Sequence, residues 1–464
     1  MRRAVMRRRQ AVRLRQAGRM AATGLALAVA LALLMAAGCA ERLPAATMVA
    51  LPVNRCAGEP SAEARRERVR VEAAAWLQLA ELKVERLYDA GPLGRVWSLP
   101  AAPRGRRLAV MSYPGAAPDS PLRGRSFVYD DALALLWFTA TGERETAEAL
   151  AATLVALQNP DGTWGFSFSV RDGFYNAGYV RTGTVAWAAH ALAVYAGRWR
   201  DAAARAAAER AGQALLRSRR RDVPVGVGLI EGGRGRWSAD ERTFYAEFRL
   251  PTAITEHQLD AHMALQSLAV PEAAPLIDSI LSTLWLDREG RFAVAADNAG
   301  PDPARALDAA GGWGALWLLA QGDSARATRS LNFTLSAFPA TTPAPLSGFR
   351  PYLDPVEGPR SALDPDLIFV EGTLGVALAA HRLHLTKVAS TALQTAVELA
   401  CLLGPGVPYA NREAIGFPRV AAAAPTLWFL MVDREMRTGE LAPLFLPARA
   451  SGEPVADGQN RDGR

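Results

Sequence analysis

Asp308 and Glu371 are each stranded in apolar sequence: Asp308 is the only formal charge between Arg305 and Asp323, and Glu371 the only one between Asp366 and Arg382. Asp130 and Asp131 open another apolar run, Glu256 and Asp260 a third, and Arg181 stands just ahead of a fourth. Taking a carboxylate out of water costs several kcal/mol unless it is paired, hydrogen-bonded or kept protonated. Acids retained in such settings suit proton transfer, one held protonated by burial to donate and one kept ionised by donors or solvent to accept. Asp130, Glu256, Asp308 and Glu371 are the candidate catalytic residues. Arg181, His257 and Asp260, with Trp164, Trp187 and Trp313, are the candidate substrate-binding residues. A flat aromatic face stacks on the C–H side of a sugar ring while its hydroxyls bond to acids.

A plainer account competes. Acids at helix starts are stabilised by the helix dipole, by about 0.3–1 kcal/mol each, and Thr255 and Gln258 are spaced as a capping box. That account serves Asp130, Asp131 and Glu256. It serves Glu371 less well, because the apolar run places it a turn inside its helix. It fails for Arg181, which faces the wrong pole of the dipole and needs an acidic partner or a ligand. The histidines and cysteines show no metal-ligand spacing: His257 and His262 are five apart, off a common helix face. No metal and no cofactor is expected.

The elements that must position these groups are helical almost throughout, since apolar positions recur with a helical rather than an alternating period. Apolar helices are expected near 130–140, 183–196, 256–268, 306–320, 366–382 and 420–433. More polar, amphipathic ones are expected at 61–82, up to 158, at 200–218, 271–286, 323–338 and 387–403. A helix apolar on nearly every side must be surrounded, whereas an amphipathic one covers it from outside. Their alternation predicts an inner ring wrapped by an outer one: an all-α (α/α)6 toroid of six helical hairpins. The connections 159–181, 219–255, 287–305, 339–365 and 404–419 are long and the others short. Antiparallel neighbours therefore put all the long loops at one end, beside the starts of the inner helices and their acids. Long loops in compact domains usually carry function.

Five segments extend this reading: Tyr129-Asp-Asp-Ala-Leu-Ala-Leu135, Leu157-Gln-Asn-Pro-Asp-Gly-Thr-Trp-Gly165, Arg181-Thr-Gly-Thr-Val-Ala-Trp187, Thr255-Glu-His-Gln-Leu-Asp260 and Val370-Glu-Gly-Thr373. With the helical pattern over residues 61–440, they resemble the six-hairpin glycosidase superfamily, as found in exported bacterial proteins acting on polysaccharides. The resemblance implies a polysaccharide or oligosaccharide partner. It also implies inverting hydrolysis, with Glu256 or Glu371 as the acid and Asp130 or Asp308 as the base. Three other readings stand beside it. One is a glycan-binding lipoprotein that has lost catalysis, and another is an epimerase using His257 or His381. The third is a terpenoid cyclase, because Gln158 to Trp164 also resembles the Gln…Gly-x-Trp repeat that staples helices in that toroid family.

The chain of 464 residues carries a formal charge of +7, but eight arginines precede residue 39 with no acid among them, and the remainder sums to −1. The body thus lacks the electrostatic footprint of a nucleic-acid binder. Residues 1–38 read as an export signal, with Leu34-Met-Ala-Ala-Gly-Cys39 resembling a lipobox in which Cys39 is lipidated. The apolar run from Met20 could also stay as an uncleaved membrane anchor, the lesser alternative. Either way the protein is expected in the cell envelope, held at a membrane, with 39–60 as a tether and 441–464 as a disordered tail. Cys56 and Cys401 are either a disulfide, as an oxidising compartment allows, or two separate thiols.

Overall fold

A computed structural model describes residues 54–81, 86–89, 96–98, 106–171, 174–238, 243–355 and 363–447. The expected signal segment and Cys39 lie outside the described residues.

The fold is the (α/α)6 toroid. The inner helices are α2 (Val128–Thr141), α4 (Thr182–Trp199), α6 (Thr255–Ser267), the broken pair α8 (Leu307–Ala310) and α9 (Gly312–Ala320), α11 (Val370–Arg382) and α13 (Ala423–Thr438). The outer helices are α1 (Ala62–Trp76), α3 (Arg144–Leu157), α5 (Ala202–Arg217), α7 (Ala273–Leu284), α10 (Ser324–Ala337) and α12 (Thr386–Leu403). Each inner helix packs on the next, α2 on α4, α4 on α6, α6 on α9, α9 on α11 and α11 on α13, and α13 returns to α2 to close the ring. Helix α1 covers the seam between α12 and α13, and a disulfide joins Cys56, just ahead of it, to Cys401 in α12, with Cα atoms 5.4 Å apart. The first outer helix ends at Trp76, short of the expected Leu82, because residues 79–81 pair as a strand with 108–110.

The two rings start their helices differently. Three outer helices carry side-chain caps: Ser61, Asp201 and Asp323 each accept from a backbone N–H three residues on. None of the inner helices does. They emerge from extended or irregular residues, Phe127, Arg181, Ile254, Ala306, Gly311, Phe369 and Ala422. Several of these belong to short strands or bridges that the long loops form at that end, such as 180–181 with 233–234 and 253–254 with 295–296. The expected capping box at Thr255 is absent for this reason. The Thr255 hydroxyl donates to the Ala293 carbonyl at 2.6 Å, and Gln258 exchanges hydrogen bonds with the backbone of Ile230.

The opposite end is closed by the chain's own continuation. Leu444 and Phe445 are buried, and the Phe445 ring lies edge-on to Trp187 at 6.0 Å. Residues 441–447, expected in a disordered tail, are therefore part of the toroid. Ala442, Leu444 and Phe445 are buried against the ring, and the carbonyls of Pro443, Leu444 and Phe445 accept hydrogen bonds from His190 and Arg382.

Candidate active site

Asp130, Glu256, Asp308 and Glu371 line one cavity of about 250 Å³, together with Arg181, Trp187, His257, Asp260 and Trp313. The ring explains the convergence. Each of the four acids stands in the first turn of a different inner helix, α2, α6, α8 and α11, so four parallel rods bring four carboxyls to one mouth. Glu371 is thus not a turn inside its helix, as the sequence implied, because α11 begins only at Val370. Close approach of the rods depends on small residues. A Cβ on Gly183 would stand 2.6 Å from the His257 ring and 3.1 Å from the Asp260 carboxyl, so glycine leaves room for both side chains beside α4.

Aromatic rings build the wall. Tyr113, Phe127, Tyr129, Phe166, Phe369 and Tyr409 line the cavity. They lock one another in tilted and edge-to-face pairs, including Phe127 with Phe166 at 5.3 Å, Tyr129 with Trp187 at 5.3 Å and Phe369 with Tyr409 at 5.4 Å. Such pairs fix ring orientation as well as burying area.

Burial dominates the acid chemistry. It pushes Glu371 up to about 8, helped by repulsion from Asp130 and Glu256 and opposed by hydrogen bonding from Tyr129. The Tyr129 hydroxyl donates to Glu371 Oε1 at 2.5 Å and accepts from the Trp428 indole at 2.9 Å, which leaves Glu371 Oε2 to carry the proton. Burial likewise takes Asp130 to about 7, against a hydrogen bond from Ser112. Glu256 also rises to about 7, because its carboxyl is recessed in the funnel even though 35 % of the side chain meets the cavity water. Asp260 and Asp308 are raised well above the usual carboxylate range by burial and then by neighbouring acids. Asp308, expected as a base, lies in the cavity with its Oδ1 lacking a hydrogen-bond partner.

Arg181 lacks the acidic partner expected of it. Its Nη1 donates instead to the carbonyls of Val180, Arg234 and Gly235 at 2.8–3.2 Å, and its guanidinium lies 4.0 Å over the Tyr179 ring. Burial and the charge of Arg181 together depress His257 to about 3, so that imidazole is neutral.

Trp164 does not line the cavity. It is fully buried, donates to the Leu154 carbonyl at 2.7 Å, and belongs to a staple. Gln158 in the same segment donates to Ala207 of α5 at 2.8 Å and accepts from Arg210. The segment ties hairpins together. Asp131 is also structural, accepting from the Val110 N–H and the Ser126 hydroxyl. Sequence reasoning missed Tyr113 and Tyr409, which come from loops with no local signal, and gave Tyr129 no role. Its place beside Asp130 at the head of an apolar run was the available clue.

No protein-family model and no curated protein matches the sequence. The chain does share its six-hairpin toroid with solved enzymes of very low sequence identity. A D-mannose isomerase is 11 % identical, with 82 % of this chain and 97 % of that one covered at a TM-score of 0.50. A glycosidase is 12 % identical over 82 % and 98 % at 0.51. A family 76 glycoside hydrolase from a bovine Bacteroides thetaiotaomicron strain is 9 % identical over 82 % and 79 % at 0.50.

Proposed function

We propose that this protein is a carbohydrate-active enzyme that hydrolyses glycosidic bonds of an envelope polysaccharide at the open end of its toroid. The observation that carries the reading is the convergence of four first-turn carboxyls from separate helices on one aromatic-walled cavity. Glu371, protonated at neutral pH and oriented through Oε1 by Tyr129, is the acid: its Oε2 proton passes to the glycosidic oxygen as the C–O bond breaks. Glu256, the more open to water, is the base: it takes a proton from the water that attacks the anomeric carbon. Burial that keeps a proton on Glu371 is what a general acid needs, and the greater exposure of Glu256 gives a water room to approach it. Solved toroids that are glycosidases support the reading at the level of fold.

The same proposal holds the protein at a membrane after export, through a lipidated Cys39 or an uncleaved apolar segment. The Cys56–Cys401 disulfide supports an oxidising compartment.

The test is release of new reducing ends from a panel of bacterial envelope polysaccharides. A bell-shaped kcat/KM is expected, with limbs near 7 and 8 from Glu256 and Glu371. Glu371→Gln and Glu256→Gln should each lower kcat by roughly 10³-fold, and full activity in both would sink the assignment. Binding without cleavage by the wild type would instead favour a glycan-binding protein. An epimerised sugar would move the chemistry to His257, which stands neutral with Nε2 4.0 Å from Glu256.

A further inference from the structure

Hydrolysis as proposed uses two carboxyls, and the cavity contains five. Asp130 (α2), Asp260 (α6) and Asp308 (α8) line it beside Glu256 and Glu371. Asp260 is only 4 % exposed, yet its Oδ1 has no hydrogen-bond partner, and the same holds for Oδ1 of the more open Asp308. Asp308 is faced by Glu256, Glu371 and Asp260, all of its own sign. A buried polar atom left unpaired costs about 1–3 kcal/mol, more when charged, so these two oxygens lack a donor that a ligand would supply.

The sign of that ligand follows from what else lines the cavity. Arg181, just ahead of α4, is the only formal cation among the described lining residues; its Nη1 is spent on backbone carbonyls, while its Nε and Nη2 have no hydrogen-bond partner. His257 is neutral, and the remaining polar lining residues include the phenols of Tyr113, Tyr129 and Tyr409. Five acids against one arginine favour a positive guest. Aromatic walls favour it again, since ring faces attract cations as well as stacking on sugars. Among the described residues no three His, Cys, Asp or Glu side chains gather closely enough to hold a metal ion.

We propose that the cavity takes a sugar with a free, unacetylated amino group, its ammonium seated against Asp308 and Asp260 while Glu371 and Glu256 remain for chemistry. The inference rests on the sugar-processing reading and sharpens it. An ammonium offers three donors, enough to serve both orphaned oxygens, and its charge would draw neighbouring carboxyls towards ionisation and so release protons.

The experiment is calorimetric binding to the full-length protein at pH 7.5. The ligands are glucosamine, galactosamine and mannosamine, each beside its N-acetyl form and its neutral hexose; none contains a glycosidic bond. At least one amino sugar should bind about ten-fold or more tightly than both of its counterparts, with proton release that changes the heat between buffers of different ionisation enthalpy. Asp308→Asn and Asp260→Asn should each erase most of that preference, and lowering the pH to 5 should do so in the wild type. Equal or tighter binding of the N-acetylated or neutral forms would overturn the inference and leave the glycosidase reading standing. Failure of every sugar and every envelope polysaccharide to bind would remove both.

Discussion

The two ends of the toroid treat buried charge in opposite ways. At the closed end, Arg382 in the last turn of α11 forks onto Glu435 of α13 with both bonds at 2.8 Å, and its remaining donors meet the carbonyls of Ala442, Leu444 and Phe445. Nearby, Asp433 receives Arg66 at 2.5 Å, and His190 sits between Ser267 and the Pro443 carbonyl at 2.7 and 2.8 Å. At the open end the acids face one another, aromatic rings and one arginine whose Nη1 alone is hydrogen-bonded, to backbone carbonyls. The same residue types are buried at both poles, so burial alone does not mark a site. Absence of a counter-charge does. Closed-end charges fasten the ring. Open-end acids keep protons that a fully paired carboxylate would have given up.

Breaking a closed-end pair should produce the largest change in stability. Glu435→Ala leaves the Arg382 cation buried without its acid and should cost about 3–5 kcal/mol in urea unfolding, while sugar affinity per folded molecule stays unchanged. A loss of affinity without a loss of stability would erase the distinction between the poles.

The opposite pole should give the opposite sign, and pH should reveal it. Glu371 has its folded pKa raised to about 8 from 4.5, so its contribution to stability is present below about 4.5 and is lost as pH rises through about 8. Glu371→Gln removes that penalty. The variant should match the wild type near pH 4 and exceed it by on the order of 2–4 kcal/mol at pH 9. Equal unfolding free energies at pH 9 would show that Glu371 is not held protonated.

The smallest effect separates two tryptophans. Trp164→Phe strands the Leu154 carbonyl and should cost about 1–2 kcal/mol with KM unmoved, because Trp164 lies in a staple. Trp313→Phe alters the cavity wall and should raise KM with little change in stability. A KM shift in the first variant would return Trp164 to the substrate-binding set.

Much of this was legible in the sequence because an inner helix must be apolar all round and an outer one on a single face. That contrast located twelve rods and the pole at which the inner ones begin, and with it the meeting place of Asp130, Glu256, Asp308 and Glu371. What stayed hidden depends on contacts made across the chain. Thr255 and Gln258 have the spacing of a cap, but backbone groups 38 and 28 residues away claim their hydrogen bonds. Trp164 differs from Trp187 only in what surrounds it. The partners of Arg181 are carbonyls, which leave no trace in residue type. Ala442, Leu444 and Phe445 did carry a signal, an apolar cluster just ahead of a polar terminus.

That cluster also ties the two poles together. Phe445 lies edge-on to Trp187, whose indole is part of the cavity wall, and the Pro443 carbonyl meets His190 one turn further along the same helix. A substitution at Phe445 would therefore be felt at the far pole, through the one indole that both share.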